Sequence, residues 1–353
     1  MTTVSDTADE QRTAREALRR ARALLDPALR DWVRRLPAPI ARVASYHFGW
    51  TDSAGRPESA PGGKALRPAL VFACAEAVGA PAEAALAPAV AVELVHNFSL
   101  IHDDILDGDA TRHHRATAWR VFGSSSALLA GDALLIHATR VLTEQHGPDM
   151  AATGVRWLSE ATTQLIEGEY TDLAFEERSH VTLAECLAMT ERKTAVLLAC
   201  SCALGALWGG GSPQRTEALR RFGTHLGIAF QLADDLLGIW GDPAVTGKPA
   251  GADLTVRKKS LPVVAALDSG TDAGRRLAEL YGGPDRPDPA APDPAETARL
   301  TALVEEAGGR AWAEETAGEQ LRLALDCLRT ADIPPPAAAP LAALARLASR
   351  RDH

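Results

Sequence analysis

Residues 81–107 read PAEAALAPAVAVELVHNFSLIHDDILD, a long and nearly all-apolar run that ends in acidic side chains. The run predicts one helix, and a helix that is apolar on nearly all sides must be buried, with other helices packed around it. The carboxylates at its C-terminal end therefore close a buried helix, where charged side chains are uncommon. This helix indicates both the fold class and the place where chemistry is expected.

The rest of the chain also follows the helical period, with glycine and proline between the segments, and shows no convincing strand pattern. We predict further helices at residues 9–35, 65–78, 126–146, 150–176, 183–208 and 213–240, then an irregular stretch to residue 253 and four shorter helices. The predicted fold class is all-α, a large helical bundle. We expect a disordered tail at residues 1–15, a single helical domain at residues 16–353 and an exposed Pro-rich loop at residues 282–294.

The composition disfavours several classes of function. A net charge of −9 argues against nucleic acid as a partner, since phosphate backbones bind to basic surfaces. The N-terminus has no signal-peptide pattern, and the longest nearly unbroken apolar run, at residues 195–208, is shorter than the roughly 20 residues that span a bilayer. We therefore expect no membrane span. The five cysteines are odd in number and scattered, which favours a reducing, cytoplasmic compartment.

The acidic end of the buried helix carries two carboxylates on one face. Asp103 and Asp107 are four residues apart, a spacing that places both side chains on the same side of a helix. Like charges at this spacing repel each other, and a hard cation with a preference for oxygen ligands offsets the repulsion. Magnesium keeps several waters and often completes its coordination with substrate phosphates. The alternative is a solvated acidic helix end, and the apolar run before the motif argues against it.

A second acidic pair repeats this arrangement. Asp234 and Asp235 close another apolar helix, and GDPAVTGKPAG at residues 241–251 predicts a mobile loop that carries Lys248. Two such pairs, each followed by basic residues, indicate metal-bridged binding of a diphosphate.

Lysine is rare in this chain, and its positions are informative. Lys and Arg total 37, of which five are Lys, so 32 are Arg. The lysines stand in or beside the Gly-, Thr-, Pro- and Asp-rich motifs, at positions 64, 193, 248, 258 and 259. Because an ammonium group is a compact point charge for phosphate, these positions are candidate phosphate contacts. The alternative is chance in a small sample.

Residues 60–265 resemble the trans-isoprenyl diphosphate synthase (polyprenyl synthetase) family, whose two Asp-rich motifs face each other across a helical cavity. GGKALRP at residues 62–68 is similar to the isopentenyl diphosphate site of that family. The resemblance implies that isopentenyl diphosphate contacts Lys64, Arg67 and His96. It implies that Mg2+ binds Asp103, Asp107 and Asp234. It also implies that the diphosphate of the allylic substrate lies near Arg112, Lys193, Lys248 and Lys258, with the side chains of Thr194 and Gln231 close to the reacting carbon.

Three positions depart from the family pattern. His113 stands where a second arginine is common, Gly238 stands where the second motif often has a third Asp, and Ala116 replaces a usual proline. We expect His113 to contact isopentenyl diphosphate, with either Arg115 or a protonated His113 replacing the missing arginine. Two acidic residues of the helix at 150–176 are expected to be polar cavity-lining residues, Glu169 and Asp172.

The resemblance implies a prenyltransferase that works as a homodimer. It would ionise an allylic diphosphate, condense the cation with isopentenyl diphosphate and eliminate a proton. Phe98 and Ser99 precede Asp103 by five and four residues, and one aromatic side chain beside a small one suits a short product in this family. We expect geranylgeranyl diphosphate. The alternative for Phe98 is simple packing against a neighbouring helix.

Other functions are compatible with a helical fold of this kind. The product could be farnesyl diphosphate, or the chain could be a class I terpene cyclase or a non-catalytic partner subunit of a synthase. A cyclase needs no second diphosphate site, so Lys64, Arg67 and His96 favour elongation. The presence of both Asp motifs argues against a non-catalytic subunit.

Overall fold

The structure is a computed structural model that describes residues 4–58, 60, 63–144, 147–242, 250–281 and 293–349, with side chains from residue 8 onward. Its helices are α1 (Val4–Arg34), α2 (Ala38–His47), α3 (Leu66–Ala77), α4 (Leu86–Leu106), α5 (Ala118–Phe122), α6 (Ser124–Glu144), α7 (Pro148–Glu177), α8 (Leu183–Thr190), α9 (Val196–Trp208), α10 (Pro213–Trp240), α11 (Ala252–Thr255), α12 (Leu261–Leu267), α13 (Asp272–Tyr281), α14 (Pro294–Glu306), α15 (Gly309–Thr330) and α16 (Pro335–Ala348). A 3-10 turn at Ala82–Ala85 leads into α4, and a π-helical turn at Glu191–Ala195 joins α8 to α9. The predicted all-α class is confirmed.

The first helix begins before the residue at which the sequence analysis predicts it. The chain is helical from Val4, so the tail expected at residues 1–15 is part of α1 from that residue onward. The physical reason is a buried stripe on α1 that includes Ala14, which is fully buried, and continues through Ala21 and Leu25. Five helices, in place of the predicted four, follow residue 260 in the described part of the chain.

Contacts within the chain define two compact units, each assembled from three stretches. The first unit comprises Met1–Thr162, Cys200–Arg220 and Thr330–Leu344, and the second comprises Thr163–Ala199, Arg221–Arg329 and Ala345–His353. The single domain expected for residues 16–353 stays a prediction.

One small hairpin departs from the expectation of a chain without strands. β1 (Thr111–Arg112) pairs antiparallel with β2 (Arg115–Ala116), and Arg112 lies opposite Arg115. The two turn residues, His113 and His114, have positive φ values of 50° and 62°. Two-residue hairpins need this left-handed backbone and are usually formed by Asn and Gly, so the two histidines gave no turn signal in the sequence.

The first unit is built around α4. Most of its side chains are buried, as its apolar composition predicts. The stretch Ala82–Leu106 is the one described segment long and apolar enough to cross a membrane, and 72% of its most apolar window is buried inside the protein. Helix α6 approaches α4 closely, since a Cβ on Gly131 would lie 2.4 Å from His102 Nε2. Helix α9 approaches α3 in the same way, because a Cβ on Gly205 would lie 2.2 Å from the Val71 carbonyl oxygen.

The second unit has two hydrophobic clusters of its own. One joins the ends of α7 and α10 with α8, α12 and α15, and its buried members include Phe175, Leu232 and Leu261. The other lies among α10, α12, α13 and α14 and includes Ile239 and Leu277. Both clusters hold the C-terminal half of α10, which carries the second acidic motif.

The contact at Gly205 gives a direct test of the packing. Gly205→Ala should lower the free energy of unfolding by about 1–3 kcal/mol, because the added methyl group meets backbone and not a movable side chain. Gly318 in α15 is the control, since its Cβ position is open. Gly318→Ala should raise the free energy of unfolding by about 0.5–1 kcal/mol through helix propensity. Denaturant melts that show the same change for both variants would contradict the close approach of α9 and α3.

Candidate active site

The first acidic motif divides its carboxylates between two tasks. Asp103 is half-buried and Asp107 is exposed at the C-terminal end of α4, where the Asp107 N–H donates to the Asp103 carbonyl oxygen at 2.8 Å. Asp104 is 1% exposed and accepts from Arg112 Nε at 2.8 Å. Burial raises the pKa of Asp104, and the Arg112 charge opposes that shift. Asp103 and Asp107 are therefore placed to bind a cation, while Asp104 positions Arg112.

The hairpin that follows α4 carries both residues considered as substitutes for the missing arginine, Arg115 and His113. Arg115 is committed to structural contacts, since it donates to the Tyr46 carbonyl oxygen at 2.8 Å and to Glu58 Oε2 at 2.7 Å. The pKa of His113 is lowered by burial and by the neighbouring Arg112 charge, which favours the neutral imidazole. Arg115 is thus held by structural contacts, and the surroundings of His113 favour its neutral form.

The predicted isopentenyl diphosphate residues meet where α3 begins. Lys64 is exposed just before α3, and Arg67 in its first turn donates from Nη1 to His96 Nε2 at 3.2 Å. Ala65 between them has a φ of 54°, a strained value for a residue with a side chain. Burial lowers the pKa of Arg67 to about 10, against the attraction of Glu93. Arg67 Nε is buried and has no hydrogen-bond partner among the described residues, so the guanidinium can take up a further acceptor.

A polar chain inside α4 supports this cluster and was missed from the sequence. Asn97 Nδ2 donates to the Glu93 carbonyl oxygen at 2.8 Å and to Glu93 Oε1 at 3.1 Å. Asn97 Oδ1 lies 3.0 Å from Nε2 of His47, the last residue of α2. The available signal was the i, i+4 spacing of Glu93 and Asn97 in an otherwise apolar helix, on either side of His96. His47 gave no signal, because it is distant in sequence.

The residues assigned to product length lie inside the first unit. Phe98 is 5% exposed and its ring packs edge-on against the His102 ring at 4.7 Å between centroids. Ser99 is 8% exposed, and its hydroxyl donates to the His96 carbonyl oxygen at 2.9 Å. Phe98 thus packs against another side chain of its own helix, and its effect on product length stays a prediction.

In the second unit, a π-helical turn presents Lys193. Lys193 Nζ lies 2.7 Å from Glu169 Oε2 and 2.6 Å from Asp172 Oδ2. Burial lowers the pKa of Lys193, but the two carboxylates outweigh this effect and raise the pKa overall. Glu169 and Asp172 are therefore ion-pair partners, a more specific role than the polar lining predicted for them. The turn packs on Gly168 of α7, where a Cβ would lie 2.4 Å from the backbone nitrogen of Lys193.

The second acidic motif, like the first, has one buried carboxylate beside a more exposed one. Asp234 is exposed, whereas Asp235 is 4% exposed and accepts the Leu261 N–H at 2.9 Å. Asp235 also accepts from Gln231 Nε2 at 2.8 Å, and the Thr194 hydroxyl donates to Gln231 Oε1 at 2.8 Å. Burial raises the pKa of Asp235 to about 7, although Lys258 opposes the shift. Asp234 is thus the member of the pair that can meet a metal ion.

The remaining lysines differ in role. Burial lowers the pKa of Lys258, but Asp235 and Asp253 outweigh it and raise the pKa, so this side chain is a cation. Lys259 Nζ donates to the Phe175 carbonyl oxygen at 2.6 Å and is structural. Lys248, assigned to phosphate binding, lies outside the described residues.

The chemistry of each acidic motif fits magnesium that is completed by a ligand. Asp103 and Asp107 of the first motif offer carboxylate oxygens, which hard cations prefer, and Asp234 of the second motif offers the same kind of donor. No group of three or more candidate ligands stands ready for a metal ion in the described parts of the chain. Two carboxylates on one helix turn supply part of a coordination shell, and water and phosphate oxygens complete such shells for magnesium.

The position of the missing third Asp is filled from elsewhere. A Cβ on Gly238 would lie 2.4 Å from Asp253 Oδ2, so the Asp253 carboxylate already occupies the space beside α10 at this residue. The departure from the family pattern at residue 238 therefore leaves a carboxylate in that place.

Restoring the family residue should therefore harm this protein. Gly238→Asp should lower the free energy of unfolding by about 0.5 kcal/mol, because it sets a second carboxylate against that of Asp253 and like charges repel, with no gain in Mg2+ affinity. Gly238→Ala separates the steric effect from the added charge, and thermal melts with and without Mg2+ measure both. Higher stability or tighter Mg2+ binding in Gly238→Asp would show that Asp253 does not fill this space.

Comparison with known proteins shows the family of this chain. The Polyprenyl synthetase family model matches residues 50–293. The chain is 48% identical over 325 residues to the (2E,6E)-farnesyl diphosphate synthase of Mycobacterium tuberculosis. The aligned residues cover 92% of this chain and 90% of that protein. It is 44% identical over 335 residues to the geranylgeranyl diphosphate synthase of the same species, with coverage of 95% and 93%. The crystal structure of a polyprenyl synthetase from Streptomyces coelicolor matches with a TM-score of 0.92 at 46% identity, over 96% of this chain and 100% of that one. The chain therefore belongs to the polyprenyl synthetase family and is a short-chain prenyl diphosphate synthase, a prenyltransferase.

Proposed function

We propose that the chain condenses isopentenyl diphosphate with an allylic diphosphate in the presence of Mg2+, and that its main product is geranylgeranyl diphosphate. The observation that carries this proposal is the presence of two kinds of diphosphate-binding group on one helix. On α4, His96 belongs to a cluster with Arg67 that can bind a diphosphate directly, and Asp103 and Asp107 can bind one through metal ions. Seven residues separate His96 from Asp103, about 10 Å along a helix.

Each substrate diphosphate has its own set of residues in this proposal. Lys64, Arg67 and His96 hold isopentenyl diphosphate, and the unpartnered Arg67 Nε offers a further donor. A terpene cyclase has no use for this second set, which favours elongation over cyclisation.

The allylic diphosphate is assigned to the carboxylates and the remaining cations. Asp103, Asp107 and Asp234 would hold Mg2+, which when bound neutralises charge that develops on the leaving group. Arg112, Lys193 and Lys258 add fixed positive charge to the same leaving group. Asp104 keeps Arg112 in place, and Glu169 and Asp172 do the same for Lys193.

The side chains around the reacting carbon protect an allylic cation. Thr194 and Gln231 offer oxygen dipoles. Gln231 donates a hydrogen bond to Asp235 and accepts one from Thr194, and these bonds fix the orientation of both side chains. The apolar side chains of α4 exclude water from the cation. Loss of a proton to the released diphosphate would then complete the step.

Metal dependence tests the proposal directly. Asp103→Asn and Asp234→Asn should each lower turnover by about 100-fold or more, because each removes a metal-binding carboxylate from a charge-stabilising site. Glu160→Gln, on an exposed part of α7, is the control and should leave turnover unchanged. Full turnover in excess chelator, or near-normal turnover in either Asp variant, would reject the metal-assisted mechanism.

Substrate-specific kinetics test the assignment of the two diphosphates. Lys64→Ala and Arg67→Ala should raise KM for isopentenyl diphosphate by about tenfold or more, since each removes a charge-assisted hydrogen bond. KM for the allylic substrate should change much less. Equal increases in both constants would show that these residues do not distinguish the two diphosphates.

Product length depends on the α4 residues that precede Asp103. Ser99 shares a helix face with Asp103 and is small, so Ser99→Phe should shorten the product, while removal of the Phe98 ring in Phe98→Ala should lengthen it. Phe72→Leu, at a buried aromatic on α3, is the packing control and should keep the wild-type product. Chromatography of dephosphorylated products gives the chain lengths. Unchanged lengths in both α4 variants would place the end of the cavity on another helix, and a fifteen-carbon main product would favour farnesyl diphosphate.

We also propose a homodimer in a reducing, cytoplasmic compartment. Helix α6 exposes Leu128, Leu129 and Ile136 by 47%, 57% and 60%, an apolar surface suited to a second copy of the chain. All five cysteines are buried and none forms a disulfide among the described residues, which supports a reducing compartment.

A further inference from the structure

The contact between Arg67 and His96 fixes the protonation state of the histidine. Arg67 Nη1 lies 3.2 Å from His96 Nε2, and a guanidinium group can only donate hydrogen bonds. Nε2 must therefore accept, and a protonated imidazole has no lone pair with which to do so. The contact requires a neutral His96 with its single proton on Nδ1.

The surroundings favour the same neutral form. Burial lowers the pKa of His96 well below its usual value, and the positive charges of Arg67 from α3 and Arg112 from the hairpin act in the same direction. His47 and His113 also face His96, and a proton on either of them would disfavour one on His96. Glu93 is the nearby acid on α4, and its pKa is raised by burial against the attraction of Arg67.

His47 of α2 is also held in one protonation state, by Asn97, the residue that follows His96 in α4. Asn97 Nδ2 donates to Glu93, so its Oδ1 faces His47 and must accept from Nε2 at 3.0 Å. Burial lowers the pKa of His47 to about 4, with the Arg112 charge adding to the effect. Two neutral histidines thus each have one ring proton in a fixed place. Arg67 leaves the proton of His96 on Nδ1, and Asn97 holds the proton of His47 on Nε2.

We propose that His96 binds isopentenyl diphosphate as a neutral imidazole, with Nε2 still accepting from Arg67 and Nδ1–H donating to a diphosphate oxygen. Arg67 is then a positioning residue for His96 as well as a direct contact, and Lys64 and Arg67 provide the positive charge. Binding adds no proton to His96. This inference rests on the proposed function, which assigns the Arg67–His96 cluster to isopentenyl diphosphate.

A neutral role and a cationic role predict opposite rankings of substitutions. A glutamine amide also offers one acceptor and one donor, so His96→Gln should weaken isopentenyl diphosphate binding by about threefold at most. His96→Ala removes the hydrogen bond and should weaken binding by about fivefold or more. His96→Lys places a cation against Arg67 and should weaken binding at least as much as His96→Ala.

Calorimetry of isopentenyl diphosphate binding without metal provides the test. At pH 7.5 the ligand is almost fully ionised, since the second phosphate pKa is about 6. Titrations in buffers of different ionisation enthalpy count the protons taken up, and wild type and His96→Gln should give the same count. His137→Gln is the matched control, because His137 is another buried histidine with a pKa lowered by burial, on α6 and outside the cluster.

The outcomes separate this inference from the proposed function. A larger proton uptake by wild type than by His96→Gln, or tighter binding by His96→Lys than by His96→Ala, would overturn the neutral role. Wild-type protein that fails to bind isopentenyl diphosphate at all would overturn the proposed function, and the inference with it. The ranking of affinities uses only variants whose melting temperatures match that of wild type. The proton count of the wild-type protein needs no variant, and an uptake that approaches one proton contradicts the inference.

Discussion

A buried ion pair between Asp104 and Arg112 organises the first acidic motif and the hairpin that follows it. Asp104 is 1% exposed, and such a carboxylate is tolerated inside a protein when a hydrogen-bonded cation accompanies it. Loss of one partner from a buried pair typically costs about 3–5 kcal/mol, because the other charge is left unpaired. The pair therefore holds the hairpin against α4 and distinguishes the buried Asp104 from Asp103 and Asp107, the carboxylates that we propose as metal ligands.

The same separation of tasks recurs in the second unit. Asp235 is buried and bound to the Leu261 amide, while its neighbour Asp234 is exposed. Lys193 is likewise held by two carboxylates, those of Glu169 and Asp172. Arg112 and Lys193 each have carboxylate neighbours that fix the position of the cation, so little reorganisation is needed when a substrate arrives. Adjacent residues of like chemistry thus serve different purposes, and burial decides which is which.

Much of this fold could be predicted from the sequence, because long amphipathic or apolar helices follow a clear period. Helix α10 has the predicted bounds of Pro213–Trp240, and α4 and its acidic end lie where the apolar run placed them. The π-helical turn inside the predicted helix at residues 183–208 could not be anticipated. It packs against Gly168, a tertiary contact with no local signal.

The site was predictable where motifs are local and not where distant residues take part. Lys64, Arg67 and His96 were identified by motif, and the structure brings Arg67 and His96 together. His47 was missed, since its link to the cluster is a contact with α4 across 50 residues of sequence. Arg115 was considered as a substrate contact, but carbonyl groups of the α2 end and the following loop hold it. Which of several arginines is free to bind a ligand depends on such contacts.

We propose that this chain joins two diphosphate substrates with the help of a divalent metal. Product analysis with isotopically labelled isopentenyl diphosphate, an allylic primer and Mg2+ tests it most directly. We predict a labelled, elongated prenyl diphosphate that forms when all three are present and fails to form when any one is omitted. A hydrocarbon made from the allylic diphosphate alone, or no turnover with any primer, would contradict it.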